Sequence, residues 1–169
     1  SNQTFNFTPS TGYHVDSVIV DGVNQFSAPS YIFVNVATNH TIRVTFAINV
    51  YTINASAGTN GSISPSGPVG VSNNGTQVFN FVPATGYHVD SVIVDGVNQP
   101  ATASYTFTGV TANHSIRVTF AINVYVIAPS AGPSGTISPA SAVNIIHGSN
   151  QTFNFTPSPG YHVDSLIVD

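Results

Sequence analysis

A histidine followed two positions later by an aspartate recurs along the chain, and these are the residue types that could do metal or acid–base chemistry. The pairs are His14 with Asp16, His88 with Asp90, and His162 with Asp164. Alternate residues of a strand point to the same face, so each pair would place an imidazole beside a carboxylate. Two ligands are too few for a metal site, and the sequence gives no third. We therefore interpret each pair as a surface His–Asp pair without a metal.

Other catalytic arrangements are not indicated by the remaining acidic or nucleophilic residues. The six acidic residues are Asp16, Asp21, Asp90, Asp95, Asp164 and Asp169. Asp16 and Asp21 lie at odd spacing on one predicted strand, so they should face opposite ways rather than flank one glycosidic bond. No calcium loop of the D-x-D-x-D type and no G-x-S-x-G elbow is present. We predict that the protein is not an enzyme and uses no cofactor.

The His–Asp pairs lie inside a longer stretch that is repeated. "GYHVDSVIVDG" begins at Gly12 and again at Gly86, and "GYHVDSLIVD" begins at Gly160, so the starting positions are evenly spaced (86 − 12 = 74 and 160 − 86 = 74). Such identity at a fixed offset indicates tandem duplication. With a boundary after "VTFA", the parts are a truncated repeat (1–47), a complete repeat (48–121) and a second truncated repeat (122–169). We expect the sequence to be a window on a longer repetitive chain.

Every long segment of the repeat has the pattern of a β-strand. Ile42, Val44 and Phe46 alternate with polar residues, a period of two that puts one face in a core. Ile32 and Val34 should face solvent, because the next copy has threonine at both positions. No segment shows the helical period of about 3.6 residues. The prediction is an all-β fold of tandem, small, antiparallel β-sandwich-like modules with a 74-residue period.

Turns and loops are predicted from glycine, proline and asparagine. Asp21-Gly22 and Asp95-Gly96 should form tight turns, since Asp accepts local hydrogen bonds and Gly adopts positive φ without strain. Asn39-His40 is predicted to form the turn before the next strand. The stretches "FSAP" (26–29) and "GPVGVSNN" (67–74) differ most between copies, which is typical of loops.

The connection between repeats, "FAINVY", contains neither Gly nor Pro. A strand should therefore run directly from one repeat into the next and make a stiff joint. Stiff joints repeated along a chain predict a rod.

The composition excludes several classes of partner. Charged residues make up 5% of the chain, Lys is absent, and Arg43 and Arg117 are the only basic residues beside histidine. Two separate arginines cannot supply the clustered positive charge that nucleic acid binding requires. No apolar run reaches the length of a membrane-spanning helix. The absence of cysteine rules out disulfides.

Glycans are candidate modifications of an exported chain of this composition. N-x-[ST] acceptor patterns begin at Asn2, Asn6, Asn39, Asn54, Asn60, Asn74, Asn113, Asn150 and Asn154. Chance matches are expected in a sequence so rich in Asn, Ser and Thr. Together with the low charge and the absence of Cys and Met, the patterns still favour an extracellular or cell-surface location.

The segment from Tyr51 to Ala121 carries the pattern "Y-x-I-x-A-x-x-G-x-x-G-x-I-S-P-x-G … F-x-F-x-P-x-x-G-Y-x-V-x-S-V-x-V-D-G … S-Y-x-F-x-x-V-x-x-N-H-x-I-x-V-x-F-A". This pattern resembles the divergent internalin-B-type B-repeats of bacterial and archaeal surface proteins, and the resemblance covers the whole chain in three phases. It implies tandem modules that act as spacers or adhesive stalks, without catalytic residues.

Two functions follow from these expectations. The first is a structural segment of an extracellular filament or surface stalk, whose partner is itself, either further repeats of the same chain or other copies. The alternative is an adhesin that binds carbohydrate or a host surface through exposed aromatic residues. The absence of Trp, a frequent sugar-stacking residue, favours the first.

Overall fold

The computed structural model describes residues 1–168, and Asp169 lies outside that range. The first part of the chain forms β1 (Gln3–Asn6), β2 (Tyr13–Val20), β3 (Val23–Gln25), β4 (Ser30–Phe33) and β5 (Ile42–Ile48). The central part forms β6 (Val50–Ala57), β7 (Gly61–Ser64), β8 (Gly67–Ser72), β9 (Gly75–Pro83), β10 (Tyr87–Val94), β11 (Val97–Gln99), β12 (Ser104–Val110) and β13 (His114–Ile122). The last part forms β14 (Val124–Ile127), β15 (Gly135–Ser138), β16 (Val143–Ile146) and β17 (Asn154–Pro157). Over the described range the fold contains strands and no helix, which confirms the all-β prediction.

The central part is a sandwich of two sheets. One sheet has five strands in the order β11-β10-β13-β6-β8, and the other has three in the order β12-β9-β7. Both sheets contribute to one core, whose buried residues are Ile53, Ala55, Ile63, Val71, Phe79, Phe81, Val92, Val94, Phe107, Val110, Ile116 and Val118. The alternation visible in the sequence produces this core: Phe79 and Phe81 of β9 are buried, while Val78 and Asn80 on the other face are exposed.

One strand pair departs from the predicted antiparallel arrangement. β13 pairs with β6 in parallel, with His114 opposite Ile53 and Val118 opposite Ala57, and the other ten pairs in the described residues are antiparallel. A parallel pair requires a long crossover connection, and here the intervening strands of the sandwich supply it. The first and last strands of the repeat therefore run the same way.

The two flanking parts form the same pairs wherever both strands are available. β1 pairs with β4, and β3-β2-β5 form one sheet, as their counterparts one repeat later do in the sandwich. β14 pairs with β16, and β15 with β17. The third copy of the motif, residues 161–168, forms no strand. In the first two copies the motif strand pairs with β5 or β13, and the described residues contain no third equivalent of those strands.

The prediction of a loop over 67–74 was wrong for most of that stretch, since β8 occupies Gly67–Ser72. β8 lies at the edge of the five-stranded sheet and has one neighbour, so its composition is weakly constrained and Pro68 is tolerated there. The short strands β3 and β11 were not predicted either. Ile32 and Val34 are 51% and 61% exposed, as their replacement by threonine indicated.

Replacing Phe79 by alanine should remove much of the stability of the sandwich. Phe79 is fully buried, and its ring packs edge-to-face on Phe107 with centroids 5.9 Å apart. We expect F79A to lower the free energy of unfolding by about 3–5 kcal/mol, measured by urea denaturation. F26A is the matched control, because Phe26 is 95% exposed and its loss should cost less than about 0.5 kcal/mol. Equal effects of the two substitutions would contradict this assignment of the core.

Candidate functional site

The place where one repeat passes into the next is held by hydrogen bonds that occur twice in the same form. A single residue, Asn49, separates β5 from β6. Its N–H donates to the carbonyl of Gly12 in the preceding repeat at 2.8 Å, and its carbonyl accepts from the N–H of Asn73 in the following repeat at 2.8 Å. We call Gly12, Asn49 and Asn73 the first joint.

The second joint consists of Gly86, Asn123 and His147. Asn123 separates β13 from β14, donates to the Gly86 carbonyl at 2.8 Å and accepts from the His147 N–H at 2.8 Å. The backbone contacts therefore repeat although the third residue changes from Asn to His. A backbone bond does not depend on the side chain, which explains why this substitution is accommodated.

The histidine of the repeated motif belongs to the joint. His14 Nδ1 lies 2.9 Å from Asn49 Oδ1, and His88 Nδ1 lies 2.9 Å from Asn123 Oδ1. Because the amide oxygen is an acceptor, the ring donates from Nδ1. The imidazole thus connects the start of the motif strand to the asparagine that links this repeat to the next.

The glycine of each joint is needed for close approach. Gly12 and Gly86 have φ of +82° and +83°, values that L side chains rarely adopt. A Cβ on Gly12 would collide with the side chain of Asn73, and a Cβ on Gly86 would collide with the ring of His147. Glycine therefore leaves room for the Asn73 or His147 side chain of the joint.

The aspartate of the His–Asp pair has a separate role at a β-bulge. The pairing of β2 with β5 shifts register at Asp16, and that of β10 with β13 shifts at Asp90. Asp16 Oδ2 accepts from the Thr45 hydroxyl at 3.0 Å, and the Thr45 hydroxyl accepts from Ser17 at 2.6 Å. The second copy has the same bonds and distances through Asp90, Thr119 and Ser91.

These contacts bear on the metal chemistry considered from the sequence. His14 and Asp16 bind different partners, and His162 and Asp164 lie on an exposed stretch outside any strand. Within residues 1–168 no group of three or more His, Asp or Glu side chains is arranged to hold a metal ion. The polar side chains of the motif are used for contacts between strands.

Asp21 forms an Asp–His contact that the sequence analysis missed. Asp21 and Gly22 make the two-residue turn between β2 and β3, with φ of +53° and +80°. Asp21 Oδ2 accepts from His40 Nδ1 at 2.7 Å, and Oδ1 accepts from the Thr41 N–H at 2.7 Å. The carboxylate thereby ties the turn to the start of β5.

The second repeat contains the same contact. Asp95 accepts from His114 Nδ1 at 2.7 Å and from the Ser115 N–H at 2.7 Å, and Asp95-Gly96 form the corresponding turn. The recurrence of both Asp-Gly and Asn-His in each repeat was a signal, but nothing in the spacing indicated that the aspartate and the histidine meet.

The Asp–His contacts shift the ionisation of both aspartates. The hydrogen bond from His40, followed by that from the Thr41 backbone, lowers the pKa of Asp21. For Asp95, partial burial raises the pKa, but the hydrogen bonds from His114 and Ser115 lower it more, so that the pKa lies below its ordinary value. The folded state therefore favours the ionised form of both carboxyl groups.

The glycosylation candidates differ in their local setting. The asparagines of all nine acceptor patterns are exposed. Asn60 and Asn74 occupy turns with φ of +67° and +61°. Asn113 uses its side-chain oxygen to accept from the Thr52 N–H at 2.8 Å, which leaves its amide nitrogen as the group that a glycan would modify.

The complete repeat also has an open cleft along its five-stranded sheet. The cleft has a volume of about 380 Å³. Its lining residues are Asn54, Ala55, Ser56, Gly67, Pro68, Ile93, Ser115, Ile116 and Arg117. None of these is aromatic, so this cleft is not the aromatic groove that a carbohydrate-binding function would call for.

Residues 51–124 match the family model of the divergent InlB B-repeat domain, which confirms the resemblance found in the sequence. The match spans β6 to the start of β14 and indicates a surface or extracellular repeat module. Neither the curated proteins nor the solved structures gave a match. Within the described residues no helix is long and apolar enough to cross a membrane.

The Asp95 contact predicts a pH-dependent contribution to stability. Because the folded pKa of Asp95 is lowered, its carboxylate stabilises the fold above about pH 4, and this contribution is lost as pH falls through the folded pKa. We expect D95N to be less stable than the parent at pH 6 by under about 1 kcal/mol, since both side chains are partly exposed. The difference should shrink below about pH 4 in thermal unfolding.

D164N is the control for the Asp95 experiment, because it removes the same charge from an exposed stretch outside any strand. It should leave stability unchanged at every pH. A difference between the parent and D95N that stays constant from neutral to strongly acidic pH would show that Asp95 does not act through its ionised form.

The joint predicts that a methyl group on Gly12 disturbs the arrangement of neighbouring repeats. The chain has no cysteine, so T4C and V78C can carry spin labels at equivalent exposed positions of two repeats. G12A should broaden the distance distribution between the labels, because its Cβ meets Asn73. G22A has nearly the same φ and nothing within 4 Å of its Cβ, so it should leave the distribution narrow. Equal distributions for both variants would contradict a role for Gly12 in the joint.

Proposed function

We propose that the protein is a structural segment of an extracellular filament or surface stalk, in which the β-repeats follow one another end to end. The observation that carries this proposal is the joint, since both joints have the same backbone contacts at the same distances. Contacts that repeat with one geometry give each pair of repeats the same relative orientation. A regular rod or helical filament follows from that repetition.

The joint has the features of a stiff connection. One residue links the strands on either side, so there is no spacer that could act as a hinge. Asn49 is bonded on both sides by its backbone and once more by its side chain to His14. Bending at the joint would break these bonds, which supports a load-carrying or spacing role rather than a flexible tether.

The strand register gives the length of one repeat. Ile53 of β6 lies opposite His114 of β13, and these two residues are 61 positions apart in the sequence (114 − 53 = 61). Equivalent residues of successive repeats are 74 positions apart (86 − 12 = 74), which is 13 more (74 − 61 = 13). The difference places Asn123 roughly 13 residues further along the strand direction than Asn49, and a strand rises by ~3.3 Å per residue. Each repeat therefore advances the chain by about 40 Å.

The composition suits an assembled extracellular material. With 5% charged residues, the surface carries little of the repulsion that keeps most soluble proteins apart. Other copies of the chain are therefore the partner that we propose. The exposed acceptor asparagines are proposed sites for glycans that would hydrate the outer surface.

Neither catalysis nor nucleic acid binding is part of the proposal. Asp16 and Asp90 bind threonine hydroxyls at bulges, and Asp21 and Asp95 tie turns, so these carboxylates have structural partners. The adhesin alternative lacks a supporting observation in the complete repeat, whose open cleft has no aromatic residue.

Electron microscopy of native filaments tests the proposal. We expect an axial repeat of about 40 Å, or a small multiple of it, from the advance per repeat. Filaments of the G12A chain should lose that regularity, while those of G22A should keep it. Beads separated by variable distances, or an axial repeat unrelated to the advance per repeat, would overturn the proposal of a stiff end-to-end filament.

A further inference from the structure

Four strands lie at sheet edges in the sandwich, and β12 is the one best suited to pair with another chain. β11 has three residues and β7 has four, so both are short. β8 contains Pro68, which has no N–H to donate. β12 has seven residues, Ser104–Val110, with neither proline nor charge.

The hydrogen-bond phase of β12 shows which backbone groups face outward. The Phe81 N–H donates to the Ala103 carbonyl at 2.9 Å, so alternate residues of β12, Tyr105 and Phe107, exchange bonds with β9. The N–H and carbonyl of Thr106 therefore point away from β9. The Thr102 hydroxyl donates to the Ser104 carbonyl at 2.7 Å, which leaves Thr106 as the centre of the open edge.

The usual protection of an edge strand is missing over most of β12. Proteins block such edges with lysine, proline, inward charges or bulges. The chain contains no lysine, and the irregularity in β12 begins only after Phe107, near Gly109 with φ of +61°. Ser104 to Phe107 remains a regular, neutral edge.

The preceding repeat offers the same edge. β4 pairs only with β1 among the described strands, and the Phe7 N–H donates to the Pro29 carbonyl at 2.8 Å, the bond that corresponds to Phe81 with Ala103. Ile32 holds the place of Thr106 (106 − 32 = 74). An open edge therefore recurs once per repeat along the chain.

We propose that these edges join neighbouring chains side by side, with β12 pairing antiparallel with the β12 strand of a second copy. Thr106 would lie opposite Thr106 about a two-fold axis, and each would give one N–H and accept one at its carbonyl. A second copy fits because the edge is neutral and self-complementary, and Thr–Thr neighbours are favourable across strands. The two three-stranded sheets would become one continuous sheet.

Because the edge recurs in each repeat, many weak edge pairings can together hold two long chains side by side. Once one pair of edges has formed, the next pair on two stiff chains is held at high effective concentration. Lateral association should therefore strengthen with the number of repeats. The inference rests on the proposed filament, because only a regular spacing brings successive edges into register.

The test compares paired substitutions in both repeats. I32K/T106K places charge at the two edges, and I32P/T106P removes an outward N–H at each without removing a bond to the neighbouring strand. T8K/V82K is the matched control, since Val82 lies on the same sheet face but pairs with Ser62 of β7 at the opposite side, and Thr8 is its equivalent one repeat earlier.

Sedimentation velocity of the parent chain and the variants measures lateral association. Because a two-fold axis at Thr106 pairs one edge per copy in this chain, each edge variant should weaken association by about tenfold, while T8K/V82K changes it by less than about threefold. The Thr106 amide of the parent should gain protection from hydrogen exchange as concentration rises. Equal weakening by both lysine pairs, or a Thr106 amide that stays unprotected at concentrations where the chain associates, would overturn the inference.

Electron microscopy separates this inference from the proposed function. Filaments of I32P/T106P that keep the axial repeat of about 40 Å but no longer bundle support edge pairing. Parent filaments that keep the axial repeat and never bundle overturn edge pairing alone. Loss of the axial repeat in the parent would instead refute the filament itself.

Discussion

The parallel pairing of β6 with β13 is the contact on which the rest of the architecture depends. It joins the first and last strands of the repeat, so the chain enters the sandwich at one end and leaves it at the other. An antiparallel pair would return the chain to its point of entry. Because the chain enters and leaves at opposite ends, a single asparagine suffices to connect consecutive repeats. The hydrogen bonds of each joint then form on both sides of that asparagine.

The polar residues of the repeated motif are explained by contacts that this arrangement creates. His14 reaches the linking Asn49, Asp16 is held at a bulge by Thr45, and Asp21 ties a turn to the strand beyond it. Each contact has a counterpart one repeat later with the same geometry. Histidine and aspartate, which elsewhere supply catalysis, here fix the relative positions of strands and of repeats.

Low charge and repetition act together in this molecule. A surface with few charges lacks the electrostatic repulsion that normally opposes association. The open edge of β12 also has no lysine or proline that would block pairing with another strand. In an isolated domain such an edge would be a liability. In a chain whose repeats are held at one spacing, the edge pairing that we propose would make it a regular array of weak contacts, which suits the proposed filament.

The sequence alone determined the all-β class, the phase of the repeat, the Asp-Gly turns and the resemblance to the B-repeat family over residues 51–124, because alternation and turn chemistry are local properties. The tertiary structure decided which distant residues meet: His14 with Asn49, His40 with Asp21, and β6 with β13. The third motif copy shows the limit most directly, since residues 161–168 nearly repeat the sequence of β10 yet form no strand. A strand exists only with a partner, and register between partners is set by how two sheets pack around one core.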